Sequence, residues 1–142
     1  EAKRLQAMMK ERPYVIFHGF TEQSKMYHEV SDAVIWNHPC NFLETFCLTA
    51  LEMLALGIFP VTRRLGGLAD TLKQAEKDGM AVMLDHDCVT DQEIQAYTDE
   101  VVKALEEKKW ERVSLDPNAV SWERVCEQWI SLMGLNTGMA VV

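Results

Sequence analysis

Glu44 and Glu52 stand eight positions apart in "ETFCLTALEMLALG", a stretch that is otherwise nearly all apolar, as a buried helix would be. Burying a carboxylate is costly unless it is paired or hydrogen-bonded, so both glutamates need partners. If a helix begins near Cys47 or Leu48, its first N–H groups have no intrahelical acceptor and the helix dipole adds partial positive charge there. That is an anion site suited to phosphate. Glu52 falls in the second turn with its side chain leaning back toward the helix start, and Glu44 lies in the loop just before. Both carboxylates then rim one pocket beside an anion. A carboxylate next to a phosphate is repelled unless something donates hydrogen bonds to it, and sugar hydroxyls are suitable donors. A ribose diol gives two bonds to one carboxylate and a hexose does the same for the other, so the pair reads as a clamp for a nucleotide-sugar. The same spacing also has a purely structural reading, because the dipole alone favours Glu near a helix start and loop glutamates are common.

The elements that must position this pair alternate in type. Ala2 to Glu11 reads as a short helix, and "YVIFH" (Tyr14 to His18) as a strand ended by Gly19. Thr21 is placed to cap a helix over Ser24 to Ser31. "AVIW" (Ala33 to Trp36) is a second strand, followed by the loop "NHPCNFLETF" and the helix from about Cys47 to Leu56, with Gly57 as its C′ residue. "IFPVT" (Ile58 to Thr62) is a third strand, Leu68 to Glu76 a helix, and "MAVML" (Met80 to Leu84) a fourth strand. "TDQE" (Thr90 to Glu93) is a capping box opening a helix to about Lys108, and Ser121 caps a last helix, Trp122 to Met133. Strands with few charges alternating with helices predict an α/β fold: a Rossmann-like parallel sheet with helices on both faces. Ligands in such sheets sit at the carboxyl ends of the strands, which singles out loops 19–23, 37–46, 63–67 and 85–89.

Composition narrows the partners. The chain has 142 residues, 48% hydrophobic and 25% charged, enough for a real core. A net charge of −8 argues against nucleic acid. The charge is uneven: 9 Lys/Arg face 10 Asp/Glu up to Leu84, against 5 and 12 from Asp85 onward, so the first part is the better host for an anion. No apolar run reaches the roughly 20 residues that span a bilayer, and no signal peptide is visible. Cys40, Cys47, Cys88 and Cys126 form no CxxC pair and read as reduced thiols, which places the protein in the cytoplasm. His18, His28, His38 and His86 have no metal-ligand spacing with one another or with the cysteines.

Other stretches carry weaker signals. "DHD" (Asp85 to Asp87) has the form of a DxD metal motif, but an acidic loop after a strand explains it as well, with His86 facing solvent. No metal and no cofactor is therefore assigned. Arg63 and Arg64 either help neutralise a phosphate or form a solvated pair. Trp110, Trp122 and Trp129 read as core or domain-docking anchors, and Met8, Met9, Met26 and Met53 as core filler.

The stretch "HPCNFLETFCLTALEMLALGIFPVT" resembles the donor-binding signature of the family-four (group 1) retaining glycosyltransferases with the GT-B fold, in which two glutamates precede "A-x-G-x-P-V". Glu44, Glu52, Ala55, Gly57, Pro60 and Val61 fit that pattern. "VIFHGF", "SDAVIWNHP", "LGGLADTL" and "VSWERVCEQW" extend the likeness over roughly Tyr14 to Met133. Cys47 stands where Gly is usual, so a thiol there crowds the donor sugar or alters hexose preference, and Asp70 stands where Glu is usual. The resemblance implies that Glu44 contacts hydroxyls of the donor hexose, which makes it the catalytic candidate, and that Glu52 holds the ribose diol. It implies that the N–H groups of Phe46, Cys47 and Leu48 meet the sugar and diphosphate, and that the backbone near Gly19 and Phe20 lies against the base.

The resemblance further implies a carboxyl-terminal GT-B domain lacking its first strand, the basic pair that neutralises the diphosphate, and the amino-terminal acceptor domain. On that basis residues 1–133 are expected to be a nucleotide-sugar-binding domain, a fragment of a longer two-domain enzyme, and residues 134–142 a disordered tail. The expected function is transfer of a hexose, with retention, from a nucleotide-diphosphate sugar to a glycan, lipid or protein acceptor, and the fragment alone should be inactive. A non-catalytic nucleotide-binding or scaffolding module and a GT-B nucleotide-sugar epimerase are the alternatives.

Overall fold

The structure, a computed structural model, describes residues 2–133. The expected tail, residues 134–142, lies outside them. The chain divides into two compact units, residues 1–32 and residues 33 onward.

The first unit contains α1 (Ala2–Lys10) and α2 (Gln23–Glu29). The strand expected over Tyr14 to His18 does not form. A strand needs a neighbour for its N–H and C=O groups; this segment instead turns locally, with Val15 N–H donating to Arg12 C=O at 3.0 Å. Tyr14, Ile16 and Phe17 are all exposed. Thr21 does not cap α2, which follows Glu22 without a side-chain cap.

The second unit is built on a parallel sheet of β1 (Ile35–His38), β2 (Phe59–Arg63) and β3 (Val82–Leu84), in that order. β1 starts two residues later than the sequence suggested. β2 is central and every one of its residues is buried. α3 (Leu48–Ala55) connects β1 to β2. The helix expected over Leu68 to Glu76 is two short helices, α4 (Gly67–Thr71) and α5 (Lys73–Lys77), which part at the fully buried Leu72, where the backbone opens to φ −96°, ψ 0°. After β3 come α6 (Asp91–Glu106), 3₁₀ turns at Lys109–Arg112 and Pro117–Val120, and α7 (Trp122–Leu132).

Strand alternation sends side chains to two faces. Cys47, Ala50 and Leu54 of the α3 region join Leu68, Leu72, Ala75 and Met83 on one face. Phe59 and Val61 meet Tyr97 and Ala104 of α6 on the other, with Trp110 packed against them. Helices thus cover both faces, as the alternating pattern predicted. Met53 is core, whereas Met8, Trp122 and Trp129 are exposed. Among the described residues no helix is long and apolar enough to cross a membrane.

Candidate functional site

The three loops at the carboxyl ends of the strands are held together. Gly67 N–H donates to Glu44 C=O at 2.6 Å, joining the loop after β2 to the loop after β1. The two chains approach so closely that side chains are excluded. A Cβ on Gly66 would stand 2.7 Å from the Glu44 carbonyl oxygen, and one on Gly67 would stand 2.3 Å from that of Thr45. Gly66 also has φ +52°, where a residue without a Cβ is favoured.

Arg63, the last residue of the central strand, braces the same loops. It is only 5% exposed, so its charge must be matched by acceptors. Its guanidinium donates to His86 C=O at 2.6 Å and Cys40 C=O at 3.1 Å, and also to the Asn41 side-chain oxygen and the Asp87 carboxylate. Neither arginine is simply solvated: Arg64 donates to Asp85 at 2.8 Å and to both oxygens of Glu76 at 2.7 and 2.8 Å. These ion pairs raise the Arg64 pKa further, chiefly through Glu76. The two acids of "DHD" are therefore partners of the two arginines. His86 does not face solvent: its Nε2 is enclosed without a hydrogen-bond partner, and its Nδ1 lies 3.8 Å from Cys88 Sγ.

α3 starts inside this brace. Cys47 occupies the N-cap position with extended backbone, its side chain makes no capping bond, and no acid stands in the first turn. The peptide N–H groups at this end are thus not capped by the protein's own side chains. The Cys47 thiol points into the core, only 4% exposed. Burial pushes it up to about 11, and its hydrogen bond to the Glu44 carboxylate adds to the shift. His38 Nε2 lies 3.6 Å from Glu44 Oε1, and Cys40 Sγ 3.9 Å from it. Glu44 is half-buried among these groups. Glu52 sits in the second turn of α3, also half-buried. Phe46 and Leu48, which flank the helix start, are more than half exposed.

This arrangement is a helix start without a side-chain cap bond, with one carboxylate just before it and another one turn on. Residues 1–121 match the family model of the group 1 glycosyl transferases. The chain belongs to this family. No curated protein and no solved structure matches the chain.

Within this glycosyl transferase the structure gathers Glu44, Phe46, Cys47 and Leu48 at the start of α3, with Glu52 further along the same helix. Gly19 and Phe20 belong to the first unit. There they line a cleft of about 340 Å³ with Thr21, Met26 and Val30. Gly19 has φ +68° and Phe20 is fully exposed. Sequence reasoning missed Arg63 as the brace, and it missed the grouping of His38 and Cys40 around Glu44. The available signal for Arg63 was its place at the carboxyl end of the most apolar strand, where a cation has no water and must find acceptors.

Proposed function

We propose that the chain binds a nucleotide-diphosphate sugar at the start of α3 and serves transfer of its hexose, with retention, to a glycan, lipid or protein acceptor. The observation that supports this reading is the helix start without a side-chain cap, preceded by Glu44 and followed by Glu52. The N–H groups of Phe46, Cys47 and Leu48 take the sugar and diphosphate, Glu52 takes the ribose diol and Glu44 the hexose. The helix terminus does the work on the leaving group that a divalent cation does in other folds. All four cysteines are free thiols, which suits a reducing compartment such as the cytoplasm.

The two carboxylates are separable by ligand. Glu52→Ala should weaken both the free nucleoside diphosphate and the nucleotide-sugar. A hydrogen bond to a charged group is worth about 1.5–3 kcal/mol, so the loss should be roughly tenfold to a hundredfold. Glu44→Ala should leave the nucleoside diphosphate almost unchanged, because that ligand has no hexose, yet lower turnover of the full donor by misorienting the reacting sugar. Calorimetry with the nucleoside diphosphate on both variants decides it. Equal weakening by both, or no effect of Glu52→Ala, would show that the glutamates serve the fold instead.

A further inference from the structure

The turn after β1 places three good metal ligands around one point. His38 ends β1, Cys40 follows two residues later, and Glu44 closes the turn. His38 Nε2, Cys40 Sγ and a Glu44 carboxylate oxygen all lie within 4.8 Å of one another. The two spacings to Glu44 Oε1 are 3.6 Å from the imidazole and 3.9 Å from the thiol. Around a tetrahedral Zn²⁺ with bonds of about 2.0–2.3 Å, neighbouring ligand atoms stand roughly 3.3–3.7 Å apart. Small side-chain shifts would therefore seat all three on one ion.

Three further observations point the same way. His38 Nε2 is enclosed and has no hydrogen-bond partner, and a buried polar nitrogen left without one is costly. Its nearest acid, Glu44 Oε1, is beyond hydrogen-bond distance but well placed to share a cation. The imidazole is held by stacking on Trp36, with ring centroids 4.5 Å apart and planes 12° from parallel. The third is at the sulfur: Phe42 N–H donates to Cys40 Sγ at 3.3 Å. The sulfur thus has a lone pair directed within the cluster.

We propose that His38 Nε2, Cys40 Sγ and Glu44 form a Zn²⁺-binding site with an open fourth position. The nitrogen, sulfur and oxygen donor set suits Zn²⁺, whereas Mg²⁺ and Ca²⁺ take oxygen donors. The site stands on this geometry and does not depend on the donor-binding reading, although it uses the same Glu44. An ion seated there competes with a sugar hydroxyl for that carboxylate.

Co²⁺ is the probe, because a cobalt–thiolate bond gives a charge-transfer band and tetrahedral Co²⁺ gives intense visible bands. One equivalent of Co²⁺ added to the metal-free chain should produce both, and Zn²⁺ should bleach them. Cys40→Ser should abolish the charge-transfer band, while Cys126→Ser, on α7, should leave it unchanged. His38→Gln and Glu44→Gln should each weaken Zn²⁺, measured against a chromophoric chelator, by roughly tenfold or more, since loss of even a hydrogen-bond partner of a ligand costs about that much. Circular dichroism on each variant confirms the fold, and His38→Gln carries the test if Cys40→Ser does not fold. Absence of the charge-transfer band, its survival in folded Cys40→Ser, or unchanged Zn²⁺ affinity in both His38→Gln and Glu44→Gln would overturn the proposal.

Discussion

Two helix starts in this molecule solve the same problem in opposite ways. α6 satisfies its own N-terminus. The Thr90 hydroxyl accepts from Glu93 N–H at 3.3 Å, and the Glu93 carboxylate accepts from the N–H groups of Thr90 at 3.0 Å and Val89 at 3.2 Å. Asp91 and Glu93 add negative charge to its first turn. α3 has no such cap and no acid in its first turn. What positions it comes from far along the chain: the Gly66–Gly67 backbone lying against Glu44 to Phe46, and Arg63 reaching the loops on either side. A helix start that satisfies itself has nothing left to offer a ligand. One that is held from outside keeps its N–H groups for something else.

If that contrast is right, damage to the outside brace should cost α3 far more than damage to a local cap costs α6. The largest effect is expected from Gly67→Ala. Its Cβ would stand 2.3 Å from the Thr45 carbonyl oxygen, a backbone atom that cannot swing aside. We expect a loss of about 3 kcal/mol in urea unfolding, together with weaker binding of a nucleoside diphosphate because the Glu44 loop is displaced. An unchanged midpoint would mean that the two loops are not in contact. Thr90→Ala should cost less, about 1 kcal/mol, as loss of an N-cap hydroxyl does. It should leave nucleoside diphosphate binding alone; weakened binding would erase the contrast.

The smallest effect is in the pH dependence. Backbone and side-chain hydrogen bonds from Thr90, then the bond from Val89, hold the Glu93 carboxyl down to about 2. Its pKa in the unfolded chain is about 4.3. A depressed carboxyl stabilises the fold fully above the unfolded value, and the contribution disappears as pH falls through the folded one. Melting temperature followed from pH 6 to pH 2 should therefore drop slightly more in the parent chain than in Glu93→Gln. Parallel curves would show that the box does not titrate with folding.

The same contrast explains what was legible in the sequence. The Thr90–Glu93 box and the Ser121 cap were readable because both rest on bonds between residues three apart, and both form as expected. Gly57 was readable because a helix end needs a residue that takes a positive φ, here +79°. Three of the four expected strands and the two covering layers followed from apolar runs that alternate with helices. Tyr14 to His18 misled because apolar, β-branched composition suits a strand but does not supply the neighbour that makes one. Arg63 was opaque because its acceptors lie 22 to 24 residues away in both directions. His38, Cys40 and Glu44 were opaque for a different reason: the turn that unites them has no standard ligand spacing and is shaped by Gly66 and Gly67 pressing from another loop.

Arg63 has a mechanical corollary. One rigid guanidinium fork, anchored at the end of the most buried strand, grips Cys40 and Asn41 on one side and His86 and Asp87 on the other. A planar fork cannot follow one loop without releasing or dragging the other. The loops after the first and third strands therefore behave as a geared pair. Any occupant that displaces the turn before α3 is registered across the sheet at Asp87, some 40 residues along the chain.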